Sequence, residues 1–175
     1  QGIAEGMHGA GCANVIQTNH PDLTPIRWAL LTAYLTNGYY GLSLALQQTF
    51  DSTLGLGHST ALLGLYERAS ESGDLFALSY IAKISAIGWD HRYYWSTIFT
   101  WLANDVGFIG ALLGVGVMAR WFRQSWIDAV RFGNDLAAIV FVFILLAFIY
   151  APANNQIAQT LDLYFSFIIV LIAWK

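Results

Sequence analysis

Residues 136–151 form an apolar run without a single charge. A polar break at Asn154, Asn155 and Gln156 separates it from a second run, 161–174, which closes on Lys175. Two such runs joined by a short polar turn have the pattern of a transmembrane hairpin, because a helix satisfies its own backbone amides where lipid cannot. Upstream, residues 95–121 are long enough to cross about 30 Å of hydrocarbon at about 1.5 Å per residue. Gly107, Gly110, Gly114 and Gly116 in that segment have the small-residue spacing that lets membrane helices approach closely. The pattern predicts membrane helices at 95–121, 135–151 and 160–174.

Residues 26–46 are less uniform. Apolar residues recur near the helical period at 31, 34, 35, 39, 42 and 46, but Thr32, Thr36, Asn37, Gly38 and Ser43 interrupt them. The segment reads either as a fourth span or as an amphipathic helix lying on, or re-entering, the membrane. Residues 47–94 hold Asp51, Glu67, Arg68, Glu71, Asp74, Lys83, Asp90, His91 and Arg92, so they belong outside the hydrocarbon. Within them, 79–87 is apolar around Lys83 and predicts a helix packed on the bundle or the membrane face. Residues 1–25, with Gly2, Gly6, Gly9 and Gly11 and two of the three prolines, read as a loop.

Composition agrees with lipid as the solvent: 57% of residues are hydrophobic and 11% charged, against roughly a quarter charged in soluble domains. The net charge is −3 and the eight Lys and Arg are scattered, which excludes a nucleic-acid surface and a polybasic lipid-binding cluster. Cys12 is the single cysteine and forms no internal disulfide. The chain starts at Gln1 without a signal-like segment, which reads as a piece of a longer protein. Arg120, Arg123 and Arg131 fall between the first predicted helix and the second, and Lys175 follows the last. The positive-inside rule makes those ends cytoplasmic and puts 47–94 and 151–159 on the outer side. Aromatic residues mark the two interfaces, Tyr93, Tyr94 and Trp95 at the outer and Trp121 and Trp126 at the inner. The expected architecture is an all-α integral membrane protein with three transmembrane helices and a large helical outer region over 1–94.

The outer region carries the candidate chemistry. His58 sits in GLGHST (55–60), where glycines either side of Leu56 allow a sharp turn and close ligand approach. Its imidazole suits a general base near neutral pH, or a partner for loop backbone. Arg27, Arg68 and Arg92 suit bidentate grip of phosphate oxygens, or interfacial anchoring and ion pairing. Asp90, His91 and Arg92 form a compact triplet that would also serve as the polar cap of a span. Asp105 stands about ten residues into its helix, where a carboxylate faces a cavity or a partner unless the helix protrudes from the bilayer. His8 and His20 lack the spaced carboxylates or thiolates of a metal site. No P-loop, dinucleotide fingerprint, zincin helix or nucleophile elbow is present.

YLTNGYYGLSLAL (34–46), Phe50 and GLGHS (55–59) resemble the large outer loop of bacterial oligosaccharide repeat-unit polymerases, the O-antigen polymerases. WSTIFTWLANDVGFIGAL (95–112) is similar to the helix that follows that loop. The resemblance covers roughly 28–121 and, more loosely, the final hairpin. It implies the C-terminal part of a multi-pass inner-membrane glycosyltransferase with a periplasmic main loop, inactive as this fragment alone. Such an enzyme joins undecaprenyl-diphosphate-linked repeat units by inverting transfer, with no metal and no cofactor. A chain-length regulator and a flippase are the partners that the resemblance adds to the lipid-linked glycans and membrane lipid. His58 is then the base, with His91 as alternate, and Arg68 and Arg92 face the diphosphate. Arg27, Tyr39, Tyr40, Asp90 and Asp105 are assigned to substrate binding. Related ligases carry a His-Asn pair where this chain has Ser96, so the base must come from elsewhere. An O-antigen ligase, or the non-catalytic part of a transporter or flippase with Asp105 facing its pathway, remain the alternatives.

Overall fold

The computed structural model describes residues 24–70 and 74–175. His8, Cys12 and His20 lie outside them, as does the expected loop apart from Thr24 and Pro25, which already belong to a helix. The chain divides into two units, Gln1–Ala33 and Tyr34–Lys175. The described residues are helical without a strand. The helices are α1 (Thr24–Ala45), α2 (Thr60–Ala69), α3 (Tyr80–Ala86), α4 (Ile98–Phe132), α5 (Asp135–Tyr150) and α6 (Leu161–Trp174), with single 3-10 turns at Phe76–Leu78 and Gln156–Ala158.

Local chemistry sets several of these boundaries. Ser59, Ser79 and Asn134 each accept a hydrogen bond from an amide in the first turn of the helix that follows, at Leu62, Ala82 and Ala137. Gly133 ends α4 in the left-handed conformation, φ 62° and ψ 30°, and donates its amide to the carbonyl of Ala129. No breaker precedes it, so α4 runs eleven residues past the expected end at Trp121. Arg120, Arg123 and Arg131 therefore ride on the last turns of α4, not on a linker, and the connection to α5 is only Gly133 and Asn134.

At 35 residues α4 is the one helix among the described residues long and apolar enough to cross a membrane. A core helix of the same composition would be mostly buried, but α4 turns Val106, Ile109, Leu112 and Leu113 outward, Ile109 with 80% of its surface exposed. The helices α5 and α6 are apolar but only 16 and 14 residues long, about 24 and 21 Å at about 1.5 Å per residue. They fold back on α4. Ala137, Val140 and Ile144 of α5 are buried with Trp174, against Trp121 and Phe122 of α4 and Phe167 of α6. The Trp174 indole donates to Asp128 Oδ2 at 3.0 Å, which places the C-terminal ends of α4 and α6 side by side. The opposite end is closed by the Ile98 amide on the carbonyl of Ala151 at 2.9 Å.

The glycines of α4 do something other than the expected helix packing. Gly107 leaves the helical region altogether, at φ 69° and ψ 175°, and kinks α4 two residues after Asp105. A Cβ on Gly114 or Gly116 would meet open space, and one on Gly110 would meet Val106 of the same helix. In α1 the apolar residues are spread around the helix, which does not give the stripe that the amphipathic one of the two readings of 26–46 calls for. Its second half is nevertheless tightly held: a Cβ on Gly38 would run into the carbonyl of Pro152, and one on Gly41 would sit 2.8 Å from the Trp89 indole nitrogen. The expected helix near 79–87 is α3, which buries Tyr80, Ile81 and Ile84 against Ala45, Trp101 and Ala103.

Gly107→Ala places a Cβ in a backbone region open essentially to glycine alone, and is expected to cost about 1–3 kcal/mol. Thermal unfolding of the variant in detergent micelles checks this; an unchanged midpoint would mean the kink is not required.

Candidate functional site

The segment between α1 and α2 folds over the start of α4 because two neighbouring side chains there hold its backbone. Asn104 is fully buried: its Nδ2 donates to the carbonyl of Gly57 at 2.8 Å and its Oδ1 accepts the amide of Tyr80 at 2.9 Å. Asp105 accepts the amide of Gly57 on Oδ1 at 2.8 Å and that of His58 on Oδ2 at 3.0 Å, with the Thr53 hydroxyl 2.5 Å from Oδ1. The backbone reaches this position through left-handed turns at Leu54 and Gly55, φ 57° and 83°. Gly57 is needed for a different reason, since a Cβ there would lie 2.6 Å from Asn104 Cβ and collide with Thr53.

This wrapping brings the His58 ring against Asp105, Nδ1 to Oδ2 at 2.8 Å. An ionised carboxylate only accepts, so the Nδ1 proton faces it and Nε2 is left with its lone pair. Nε2 lies 3.0 Å from the Tyr164 hydroxyl at the start of α6, which donates to it. The Asp105 side chain is only 9% exposed, and each of its oxygens has at least two partners, which meets the cost of burying the charge. From the other side, Asn155 Nδ2 donates to the carbonyl of His58 at 2.8 Å, and Ser59 Oγ donates to that of Ala158 at 2.6 Å. The loop bearing His58 is thus clamped between α4 and the α5–α6 connection.

A cavity of 360 Å³ opens beside the histidine. Of its polar wall residues, His58 meets Tyr164 through its ring and Asn155 through its carbonyl, and the remainder includes Leu102, Val117, Met118, Trp121 and Phe167. The arrangement is a carboxylate-oriented imidazole at the polar end of an apolar space. It can take a proton from a hydroxyl that displaces Tyr164, with Asp105 stabilising the imidazolium that forms.

Of the residues singled out in the sequence, His58 and Asp105 are joined directly. The arginines are not brought to them. Arg68 lies at the far end of α2, about 12 Å of helix from Thr60, exposed on a cavity of 220 Å³ walled by Thr60, Gly64, Gln159 and Thr160. It forms no ion pair with Glu67. Arg92 is bound to Asp90, Nη2 to Oδ2 at 2.6 Å and Nε to Oδ1 at 3.0 Å, with 72% of its side chain exposed. The hydrogen bonds from the Arg92 side chain and backbone hold the Asp90 carboxyl down to about 2. His91 pairs with Ser85 Oγ at 3.1 Å and packs on Phe76, so it offers no alternate base at this site. Tyr39 is exposed, Tyr40 tilts against Trp89 at 4.8 Å, and Arg27 is exposed on α1 within the first unit. No group of three His, Cys, Asp or Glu gathers to hold a metal among the described residues.

Asn104, Thr53, Asn155 and Tyr164 escaped the sequence reading. The signal available for Asn104 was its adjacency to Asp105 in an otherwise apolar run, with a glycine two residues on. Tyr164 carries no local signal, being 106 residues from its partner. Comparison of the chain with protein-family models, with curated proteins and with solved structures finds no match.

Asn104→Leu strands the Tyr80 amide and the Gly57 carbonyl, and is expected to cost about 1–3 kcal/mol for each. A lower unfolding midpoint, together with faster proteolysis within 53–60, would register it. Arg92→Ala removes the side-chain bonds and keeps the residue-92 amide on Asp90, so it is expected to raise the Asp90 carboxyl toward, but not fully to, the ordinary value of about 3.9, read by NMR titration. Because that carboxyl is held low in the folded chain, the pair favours folding above the ordinary range and ceases to as pH falls toward 2.

Proposed function

We propose that this chain is part of a membrane glycosyltransferase that polymerises undecaprenyl-diphosphate-linked oligosaccharide repeat units on the outer face of a bacterial inner membrane. The observation that carries the reading is the Asp105–His58 pair at the polar end of an apolar cavity. A lipid-borne sugar needs both features at once, an apolar berth for the chain and a base for the acceptor hydroxyl. The resemblance of 34–59 and 95–112 to O-antigen polymerases supplies the substrate class.

In this reading α4, α5 and α6 all cross the bilayer, and the membrane thins or side chains snorkel to match the two short helices. The basic residues at the C-terminal ends of α4 and α6 stand at one end of the bundle and the histidine at the other, which supports an outer placement of the site under the positive-inside rule. His58 Nε2 removes the acceptor proton as the acceptor oxygen attacks the anomeric carbon, and the bond to the diphosphate breaks on the opposite face. The charge that develops on the diphosphate falls to Arg68, whose cavity adds the hydroxyls of Thr60 and Thr160. Arg92, held by Asp90, has no part in this step.

His58→Ala is expected to lower the polymerisation rate by about 10²–10⁴-fold in cells carrying the complete system, with the protein still inserted. Polymer of unchanged length and yield would overturn the assignment. Tyr164→Phe is expected to keep activity and to make His58 react faster with diethyl pyrocarbonate, because Nε2 loses its hydroxyl partner. Equal reactivity in the two proteins would show that Tyr164 does not cover the base.

A further inference from the structure

We infer that the loop before His58 dips into the outer leaflet of the membrane, with Leu54 and Phe50 seated among lipid at the boundary between headgroups and acyl chains. Leu54 adopts the left-handed backbone conformation, φ 57°, which glycine, asparagine or aspartate takes at less cost. A leucine there has only its side chain to recommend it. Yet 75% of Leu54 is exposed, and it belongs to none of the core clusters among the described residues.

The turn that presents it is fastened to α4. Ser52 Oγ donates to the carbonyl of Asp105 at 3.2 Å and accepts the Leu54 amide at 3.3 Å, and the Thr53 amide donates to the carbonyl of Asn104 at 3.1 Å. One serine side chain thus separates the Leu54 amide from the peptide that joins Asp105 to Val106. Val106 and Ile109, 59% and 80% exposed, begin the outward apolar face of α4. Phe50 lies against the intervening Gly107, where a Cβ would be 3.9 Å from its ring, and 46% of it is exposed. The exposed apolar surface of α4 therefore passes onto the loop at Phe50. Since α4 is long and apolar enough to cross a membrane, lipid is the cover that the two share.

The loop backbone suits such surroundings. Non-helical backbone at membrane depth persists only where the protein itself satisfies its polar groups. The amides of Thr53, Leu54, Leu56, Gly57, His58 and Ser59 all donate to partners within the chain. Asp51 limits the depth. Its carboxylate is 53% exposed and bound to Lys83 Nζ at 2.7 Å, an ion pair that belongs among headgroups. Leu54 and Phe50 then reach about 5–10 Å further, the depth at which interfacial helices bury their apolar face. His58 is held at the lipid surface as a result, where a lipid-borne headgroup meets it without leaving the bilayer. The inference rests on the reading of α4 as a span, and not on His58 acting as a base.

The test places a nitroxide at Leu54→Cys, Phe50→Cys, Ile109→Cys or Glu67→Cys in the full chain, with the single native cysteine removed by Cys12→Ser, in lipid nanodiscs. Relaxation by oxygen, which partitions into lipid, is compared with relaxation by a nickel chelate confined to water. The oxygen-to-nickel ratio at Leu54 and Phe50 is expected to stand several-fold above that at the exposed Glu67 and to approach that at Ile109. Leu54→Asp suits the left-handed backbone, so it is expected to keep the fold and to lower the ratio at Phe50 toward the Glu67 value. Ile109 in lipid with Leu54 in water overturns the inference and leaves α4 as a span; Ile109 in water overturns both. Protection of Leu54 from both reagents means that protein covers it, and overturns the inference, as does a Phe50 ratio that Leu54→Asp leaves unchanged.

Discussion

Two adjacent side chains, Asn104 and Asp105, organise the polar half of this protein. Between them they occupy the amides of Gly57, His58 and Tyr80 and the carbonyl of Gly57. In an apolar setting each of those groups would be costly if left open, so the loop before α2 and the N-terminus of α3 have little freedom to settle elsewhere. The orientation of His58 follows from this. Its ring is fixed by the same carboxylate that fixes its amide, and its carbonyl is taken by Asn155. A histidine tied at ring, amide and carbonyl is preorganised and not merely adjacent to an acid.

The kink at Gly107 belongs to the same construction. Asp105 occupies the last turn before it, and the apolar cavity is lined by residues on both sides of it, Ile98 and Leu102 before and Gly114 to Trp121 after. Many hydrophobics of α4, α5 and α6 are nevertheless exposed, Ile109, Ile149 and Ile172 among them.

Around this centre the α5–α6 connection acts as a shared wall. Asn155, Ile157 and Ala158 line the apolar cavity, and Gln159 and Thr160 the one holding Arg68. Apolar and cationic spaces therefore meet along one short stretch of chain.

The sequence by itself determined the elements. Apolar runs without breakers placed α5 and α6 within a residue or so, and the polar region 47–94 was recognisably distinct, while the end of α4 at Gly133 and the helix α2 were not foreseen. It also marked His58 and Asp105 as unusual, one by its glycine setting and one by its burial in an apolar run. What only the tertiary structure decided was which polar groups meet. Sequence spacing reports neighbours within a helix turn, but His58 and Asp105 are 47 residues apart, and His58 and Tyr164 are 106 apart. The same distance effect governs the arginines: α2 carries Arg68 away from His58 to a separate cavity, and Arg92 is bound by Asp90. Gly107 shows the complementary limit, since a glycine in an apolar helix fits close packing or a kink equally well until the backbone around it is known. Burial and long-range hydrogen bonding are properties of the folded chain, and they convert a list of suitable residues into one site and leave the others at the surface.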